Sequence, residues 1–456
     1  MKPQLLIGSP MSGSGKSIFT MGILRLLKRR NLNVQPFVCG PDQAVPLYHA
    51  ISCGHDSVNL DTFLASKTHL QYVYNTYSEN AEICVAEGNM GLFDGYNRMR
   101  GSSAEIAMML KMPVLMIVNA RATGYSAAPL LYGFKHFKHS LNIVGVIFNQ
   151  VTSSAQYASL KEACFDAGIA CLGYIPFIEG LKYNRRMALT VENRRAIGEM
   201  SDLVADLIEK HVDVDRLLNQ TVRIFPCEYT LPYTSDIENL SSLPAMPKKG
   251  KLRIAIARDP AFCMVYKENI DRLSTLGTIK YFSPVFGSEL PEADLIYLPG
   301  GFPDLFARQL HRRKQLLEQL KDYAERGGKI LAEGGGMALL SQSLSNKPGG
   351  TPYEMAGILP FRISADEQKY TGGYRCITLN NTEYKGHEFH FSKMENTPCE
   401  ALTEIRLYTA RGTESATSLY RYKNVIAGYT HWYWGESDIL DLWKFEPNDE
   451  TKAAIE

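Results

Sequence analysis

The sequence predicts two α/β domains in tandem, and three observations carry that expectation. A short apolar run, Leu5-Leu6-Ile7, leads into Gly8-Ser9-Pro10-Met11-Ser12-Gly13-Ser14-Gly15-Lys16-Ser17 and then an amphipathic stretch, the order strand, glycine-rich turn, helix. Strand-like runs alternate with helix-length segments through both halves. Between the halves, Ile224 to Lys251 carries Pro226, Pro232, Pro244 and Pro247 and ends in Lys248-Lys249-Gly250-Lys251, the composition of a linker.

Whole-chain properties bound the rest. A length of 456 residues fits two or three domains with large cores. An apolar fraction of 45% with 21% charged residues belongs to an ordinary globular protein. The net charge of +1 gives no basis for a nucleic-acid or anionic-membrane partner. Apolar runs such as Val114–Val118 are too short to span a bilayer, and strand and loop at the start leave no room for a signal peptide. The nine cysteines lack CxxC spacing, which argues against a disulfide framework or zinc site. The expected setting is cytoplasmic, with reduced thiols.

In chain order, the first loop is the strongest signal. Gly13 and Gly15 let backbone N–H groups, with that of Ser14, curl around an anion at a helix N-terminus. Lys16 is placed to reach the outer phosphates of a nucleotide and the Ser17 hydroxyl to hold Mg²⁺. Pro10 departs from the strict pattern, which has glycine there. The run Gln35–Cys39 then ends in Gly40-Pro41-Asp42, and Ile83–Ala86 ends in Glu87-Gly88, with Asp94 in the following loop. Further strands are expected at Val114–Val118, Ile143–Phe148 and Cys171–Ile175. Strands alternating with helices imply a parallel sheet covered on both faces, with ligands beyond its carboxyl edge. The loop, Asp42, Glu87 and Asp94 all fall at that edge. A lone acid there is ordinarily a solvated loop residue; the shared edge makes these acids candidate Mg²⁺ ligands. The expected site is therefore Lys16, Asp42 and Glu87 as catalytic groups, with Ser17, Asp42 and Glu87 around the metal.

The spacing of Ile197, Met200, Leu203, Val204 and Leu207 predicts a helix over 191–211. The expected division is an ATP-binding domain over 1–195, a helix and linker over 196–250, and a second domain over 251–456. In that domain, strands are expected at Arg253–Ala257, Ile279–Phe282, Asp294–Leu298 and Lys329–Ala332. Pro299-Gly300-Gly301-Phe302-Pro303 closes one strand where backbone N–H groups, such as that of Gly301, could stabilise an oxyanion. Ala332-Glu333-Gly334-Gly335-Gly336-Met337 closes another in the manner of a nucleophile elbow. His387 and His390 lie three apart in an extended segment and so point to opposite faces, which argues against a metal pair.

Four N-terminal segments resemble, in order, the cobyrinic acid a,c-diamide synthase family. They are the phosphate loop, Gly40-Pro41-Asp42 with His49 and Asn59-Leu60-Asp61, Glu87-Gly88-Asn89-Met90-Gly91-Leu92-Phe93-Asp94-Gly95, and Gly101-Ser102-Ser103-Ala104-Glu105-Ile106-Ala107. The second half resembles that family's triad-type glutamine amidotransferase domain through Ala257–Cys263, Phe282-Ser283-Pro284, the Gly-Gly-Phe-Pro turn, Gly386–His390 and Tyr429-Thr430-His431. The resemblance implies a dethiobiotin synthetase-like P-loop domain fused to a class I amidotransferase-like domain. It also implies ATP and Mg²⁺ as cofactors and amidation of tetrapyrrole carboxylates through an acyl phosphate.

Two departures shape the expectation. The family continues GPD as YIDP, whereas this chain has Gln43-Ala44-Val45-Pro46, so Val45 replaces an acid. The family's elbow reads AECGG, and Gly334 stands at its cysteine. Without a thiol no glutamyl thioester forms, so Gly334, His431 and Gly301 make a degenerate site that keeps its shape. Cys263 is expected to be structural, and Cys376 and Cys399 lie outside any elbow. The nitrogen is then expected from ammonia or a separate glutaminase. The substrate is cobyrinic acid or, as an alternative, a metallated sirohydrochlorin. A non-catalytic binder of nucleotide and tetrapyrrole is the competing reading. A homodimer stays open.

Overall fold

The computed structural model describes residues 1–180, 190–227, 250–287, 289–366, 368–379, 382–396 and 401–444. The chain divides into two compact units, described separately.

The first unit alternates strictly: β1 (Lys2–Gly8), α1 (Lys16–Arg29), β2 (Val34–Cys39), α2 (Val45–Cys53), β3 (Val58–Leu60), α3 (Lys67–Ser78), β4 (Ile83–Glu87), α4 (Ser103–Met109), β5 (Val114–Asn119), α5 (Ala127–Phe137), β6 (Ile143–Val151), α6 (Ser154–Asp166) and β7 (Cys171–Pro176). The sheet order is β3-β2-β4-β1-β5-β6-β7, with every one of these pairs parallel. Burial on both faces explains the nearly unbroken apolar strands. Within each strand the side chains alternate between two cores. Leu6, Cys84, Ala86, Val114 and Met116 pack on one face, while Leu5, Ile7, Val85, Leu115 and Ile117 pack on the other. The expected strands all form; β3, within the Asn59-Leu60-Asp61 motif, was not expected as a strand.

The helix α7 (Val191–His211) requires a correction to the expected connector. It lies in the first unit, where Val204, Ala205 and Ile208 share a core with Phe19, Ile23 and Leu27 of α1. Its apolar stripe packs within the first unit, against α1 and β7. After it, α8 (Val214–Gln220) leads to β8 (Val222–Arg223), which pairs antiparallel with the start of β1. Residues 228–249 of the expected linker lie outside the described residues. The α1–α7 approach is close: a Cβ on Gly22 would sit 2.4 Å from Val204 Cγ1. Gly22→Val is therefore expected to cost about 1–3 kcal/mol by overpacking, read as a lowered unfolding midpoint. A midpoint equal to that of the parent would contradict this packing.

In the second unit, β9 (Leu252–Ala257), β10 (Gly277–Phe282), β11 (Leu295–Leu298), β12 (Lys329–Glu333) and β21 (Val425–Gly428) form a parallel sheet in the order β10-β9-β11-β12-β21. The four strands expected from sequence are the first four of these. Beyond β21 the sheet continues antiparallel through β20 (Glu414–Tyr422), β19 (Thr403–Thr409), β16 (Thr371–Leu379), β17 (Thr382–His390) and β22 (Thr430–Trp432). A small four-stranded sheet joins β13 (Ser343–Ser345), β14 (Tyr353–Glu354), β15 (Phe361–Ala365) and β18 (Ser392–Asn396). Only Tyr429 separates β21 from β22, so residues 425–432 join the middle of the long sheet to its far edge. Trp432 and Trp434 anchor this segment in the core.

Candidate functional site

The loop after β1 takes the shape an anion needs. Gly13 and Gly15 have φ of 78° and 95°, which L side chains rarely adopt. Gly15 is also hemmed in by Asn149, whose Nδ2 would lie 2.0 Å from an added Cβ and donates to Ser14 O at 3.0 Å. Side chains tie the loop to itself, with Ser9 Oγ and Ser14 Oγ both donating to Met11 O. The α1 N-terminus carries no side-chain cap and no acid in its first turn, leaving its amides and dipole for an anion. Lys16 Nζ donates to Ser9 Oγ at 2.7 Å and to Met90 O at 2.5 Å. The lysine is thus held between the phosphate loop and the loop that follows Glu87.

Glu87 ends β4 beside this loop and is buried. Ser17 Oγ donates to its Oε1, and His49 Nε2 lies 2.8 Å from its Oε2. Burial pushes the Glu87 carboxyl upward, yet the His49 hydrogen bond and charge, the Ser17 hydroxyl and Lys16 together hold it below the usual range. A carboxylate and a hydroxyl meeting beside a phosphate cradle suit a hard cation that takes its remaining ligands from phosphate and water. That fit needs no protein cage, and among the described residues no group of three or more His, Cys, Asp or Glu could hold a metal.

The other expected acids stand differently. Asp42 Oδ1 accepts from the amides of Ala44 and Val45 at 2.8 and 2.9 Å, so one oxygen starts α2. Asp94 Oδ2 accepts from Gly91 N at 3.0 Å and shapes its own loop. Val45 is buried in the first turn of α2. Sequence reasoning quoted His49 as part of a motif without a role and passed over Asn149. The sign available for Asn149 was its position at the carboxyl end of an apolar strand. Asn149 also lines a cavity of about 320 Å³ with Ile18, Arg121, Gln150, Pro176 and Phe177.

In the second unit, Gly334 turns β12 into the helix Gly335–Leu340 with φ 47° and ψ −105°. A Cβ there would lie 2.9 Å from His431 Cε1 and 3.2 Å from Nε2. His431 also packs on Gly300, and Gly301 N lies 3.1 Å from where Gly335 would carry a Cβ. Gly301, Gly334 and His431 are therefore brought together. Sequence reasoning missed Glu333, whose Oε2 lies 3.8 Å from His431 Nδ1. Glu333 accepts from Tyr297 OH at 2.8 Å and from Trp432 N at 3.1 Å. The sign for it was an acid directly before the elbow. Cys263 N donates to Gly300 O at 3.0 Å, and Cys399 lies outside the described residues.

His387 and His390 lie on β17, as extended as expected, and His387 faces His431 across the β17–β22 pair. Burial pushes His387 down to about 3, helped by His431 and Arg375. Burial likewise takes His390 down to about 4, against the opposing effect of the Ser392 carbonyl oxygen, which accepts from its Nδ1. Both folded values lie below the ordinary 6.5, so the unfolded chain takes up protons that the folded chain refuses. Stability is therefore present above pH ~6.5 and falls as the pH drops toward those values, by at most about 1.4 kcal/mol per pH unit for each histidine. The double variant H387N/H390N is expected to flatten that fall in melting curves taken between pH 7 and pH 4.5. An unchanged slope would contradict the burial argument.

A phosphate loop opening a parallel sheet, followed by a unit with a glycine elbow beside histidine, defines a two-domain nucleotide-binding protein with an amidotransferase-like half. Residues 5–189 match the CobQ/CobB/MinD/ParA nucleotide binding domain, and residues 253–439 match the CobB/CobQ-like glutamine amidotransferase domain. Cobyrinate a,c-diamide synthase of Picrophilus torridus is 34% identical, covering 94% of this chain and 95% of that protein. The synthase of the same name from Listeria monocytogenes is also 34% identical, over 94% and 95%. That of Archaeoglobus fulgidus is 30% identical, over 86% of each. The chain belongs to the cobyrinate a,c-diamide synthase family. Among the described residues, no helix is long and apolar enough to cross a membrane.

Proposed function

We propose that the protein is an ATP- and Mg²⁺-dependent amidoligase that converts the a and c carboxylates of cobyrinic acid to amides, with ammonia as the nitrogen source. The observation that carries this reading is the Lys16–Ser17–Glu87 constellation at the phosphate loop of a chain from this family. Lys16 and the loop amides stabilise charge on the γ-phosphoryl group as it passes to a substrate carboxylate oxygen. Ammonia then attacks the acyl carbon, the C–O bond to phosphate breaks, and the amide and inorganic phosphate result. Ser17 and Glu87 would hold the magnesium, which neutralises phosphate charge when bound. Asp42 contributes chiefly by starting α2, with its second oxygen as a further candidate contact. The cavity beside Asn149, with Arg121 over the Phe177 ring at 5.3 Å, suits a planar heteroaromatic base.

The nitrogen source follows from the elbow. Gly334 occupies the nucleophile's turn, and glycine has no side chain to attack glutamine. Ammonia, or a separate glutaminase, supplies the nitrogen. The test incubates cobyrinic acid, ATP and Mg²⁺ with ammonium salt. Diamide, ADP and phosphate in a 1:2:2 ratio support the reading. ATP binding without amide from either nitrogen source favours a non-catalytic descendant, a reading motivated by Val45, which is buried and apolar where the family carries an acid. Diamide from a metallated sirohydrochlorin but not from cobyrinic acid would change the substrate.

A further inference from the structure

We propose that His49 is a positioning residue that pins one oxygen of Glu87, leaving the other to face the nucleotide's cation and so favouring Mg²⁺ over Ca²⁺. The inference rests on the reading of this site as a magnesium–nucleotide centre.

The geometry is a chain of three contacts from three elements. Ser17 on α1 donates to Glu87 Oε1. His49 on α2 lies 2.8 Å from Oε2 through Nε2. Ser57, just before β3, lies 3.1 Å from His49 Nδ1. An ionised carboxylate only accepts, so His49 Nε2 must carry the proton of that bond. His49 Nδ1 stands 3.1 Å from the Ser57 hydroxyl, so the imidazole is held at both ends. His49 is fully buried, where an imidazole is costly unless both nitrogens are satisfied. A leucine would fill the same space without that cost, so packing alone does not account for histidine here.

The two oxygens of Glu87 are thereby made unequal. Oε1 shares its contact with Ser17, the hydroxyl at the head of the phosphate loop, while Oε2 is occupied by His49. A carboxylate with both oxygens free can bind a cation bidentately, the mode that suits the larger and higher-coordinate Ca²⁺. Holding one oxygen restricts Glu87 to a single contact, direct or through water, which suits the octahedral shell of Mg²⁺. Contacts of this outer kind typically change metal affinity by about 10–100-fold when removed.

The experiment measures binding of a fluorescent ATP analogue to the full chain in EDTA, in rising Mg²⁺ and in rising Ca²⁺. For His49→Leu, binding in EDTA should stay within about threefold of the parent, while the Mg²⁺ midpoint rises about tenfold or more. The Ca²⁺ midpoint should rise less or fall, narrowing the preference. His49→Gln, whose amide N–H can replace the Nε2 donor, should recover most of the Mg²⁺ midpoint. Ser57→Ala should shift it in the same direction by a smaller factor. If His49→Leu does not fold, these two variants carry the test, and parental Mg²⁺ and Ca²⁺ midpoints in Ser57→Ala would overturn the proposal. Equal losses in EDTA and in Mg²⁺ would also overturn it, because they indicate a general collapse of the site. So would no rescue by His49→Gln. The parent and Lys16→Ala separate the two readings. If the parent shows no Mg²⁺-dependent nucleotide binding, both readings fail; if it does and His49→Leu matches it, only the positioning role fails.

Discussion

Lys16→Ala is expected to abolish ATP-dependent amidation, with a loss in kcat/KM on the order of 10³-fold or more. Lys16 is the cation that the phosphate loop presents from within, only 6% exposed and held by Ser9 Oγ and Met90 O. In phosphoryl transfer the protein contributes mainly position and charge, so losing the ammonium removes stabilisation that exists chiefly in the transition state. A 10³-fold loss corresponds to about 4 kcal/mol. Lys16→Arg should rescue poorly, since a planar fork cannot occupy the narrow seat of an ammonium between Ser9 and Met90. The measurement is diamide formed per unit time with saturating ammonium salt, alongside thermal melting. A folded Lys16→Ala protein retaining more than a tenth of parental kcat/KM would remove Lys16 from the mechanism.

The second large effect concerns the elbow. The parent is expected to form diamide from ammonium salt and essentially none from glutamine when it is the only protein present. Gly334→Cys is expected to gain a reaction with glutamine that the parent lacks. The introduced thiol would start from a Cβ 3.2 Å from His431 Nε2, and the other ring nitrogen of His431 lies 3.8 Å from Glu333 Oε2. Thiolate attack on the glutamine carboxamide would form a thioester and expel ammonia, the leaving nitrogen taking its proton from His431. Two costs limit the gain. A side chain at φ 47° and ψ −105° is strained by about 1–3 kcal/mol, and its Cβ lies 2.9 Å from His431 Cε1, so the imidazole must shift. The gain is read as a glutamyl adduct on the intact protein by mass spectrometry and as glutamate release. Efficient diamide synthesis by the parent with glutamine alone would overturn the nitrogen-source proposal.

The phosphate loop was readable because its requirements are local. Positive φ at Gly13 and Gly15, a lysine and a hydroxyl at the helix start, and a strand before them lie within a few consecutive residues. The parallel strands were readable for a related reason: burial on both faces leaves short apolar runs bounded by polar turns. In the second unit the same rule found β9 to β12. It passed over the antiparallel strands β16, β19 and β20, whose half-exposed faces dilute the apolar signal.

Other features depend on partners far apart in the chain. The apolar stripe of α7 shows that one face is buried, but amphipathicity is silent about the surface it meets, so the pattern alone reads as a connector. Asp42 looked like Glu87, an acid ending a strand-like run. Folding then turned one of its oxygens back to start α2 and carried Glu87 to Ser17. His49 and Glu87 stand 38 residues apart and meet only because α2 packs over the sheet beside β4.

By itself the sequence determined the phosphate loop, the doubly covered parallel sheet and the absence of a thiol at Gly334, since each follows from residue identity and short-range spacing. The tertiary structure alone decided which acid joins Ser17, that His49 stands behind it, and that Glu333 stands behind His431. Those outcomes turn on side-chain contacts within 4 Å between segments distant in the chain. Neither periodicity nor local propensity encodes a distance of that kind; only the packed arrangement of helices on the sheet does.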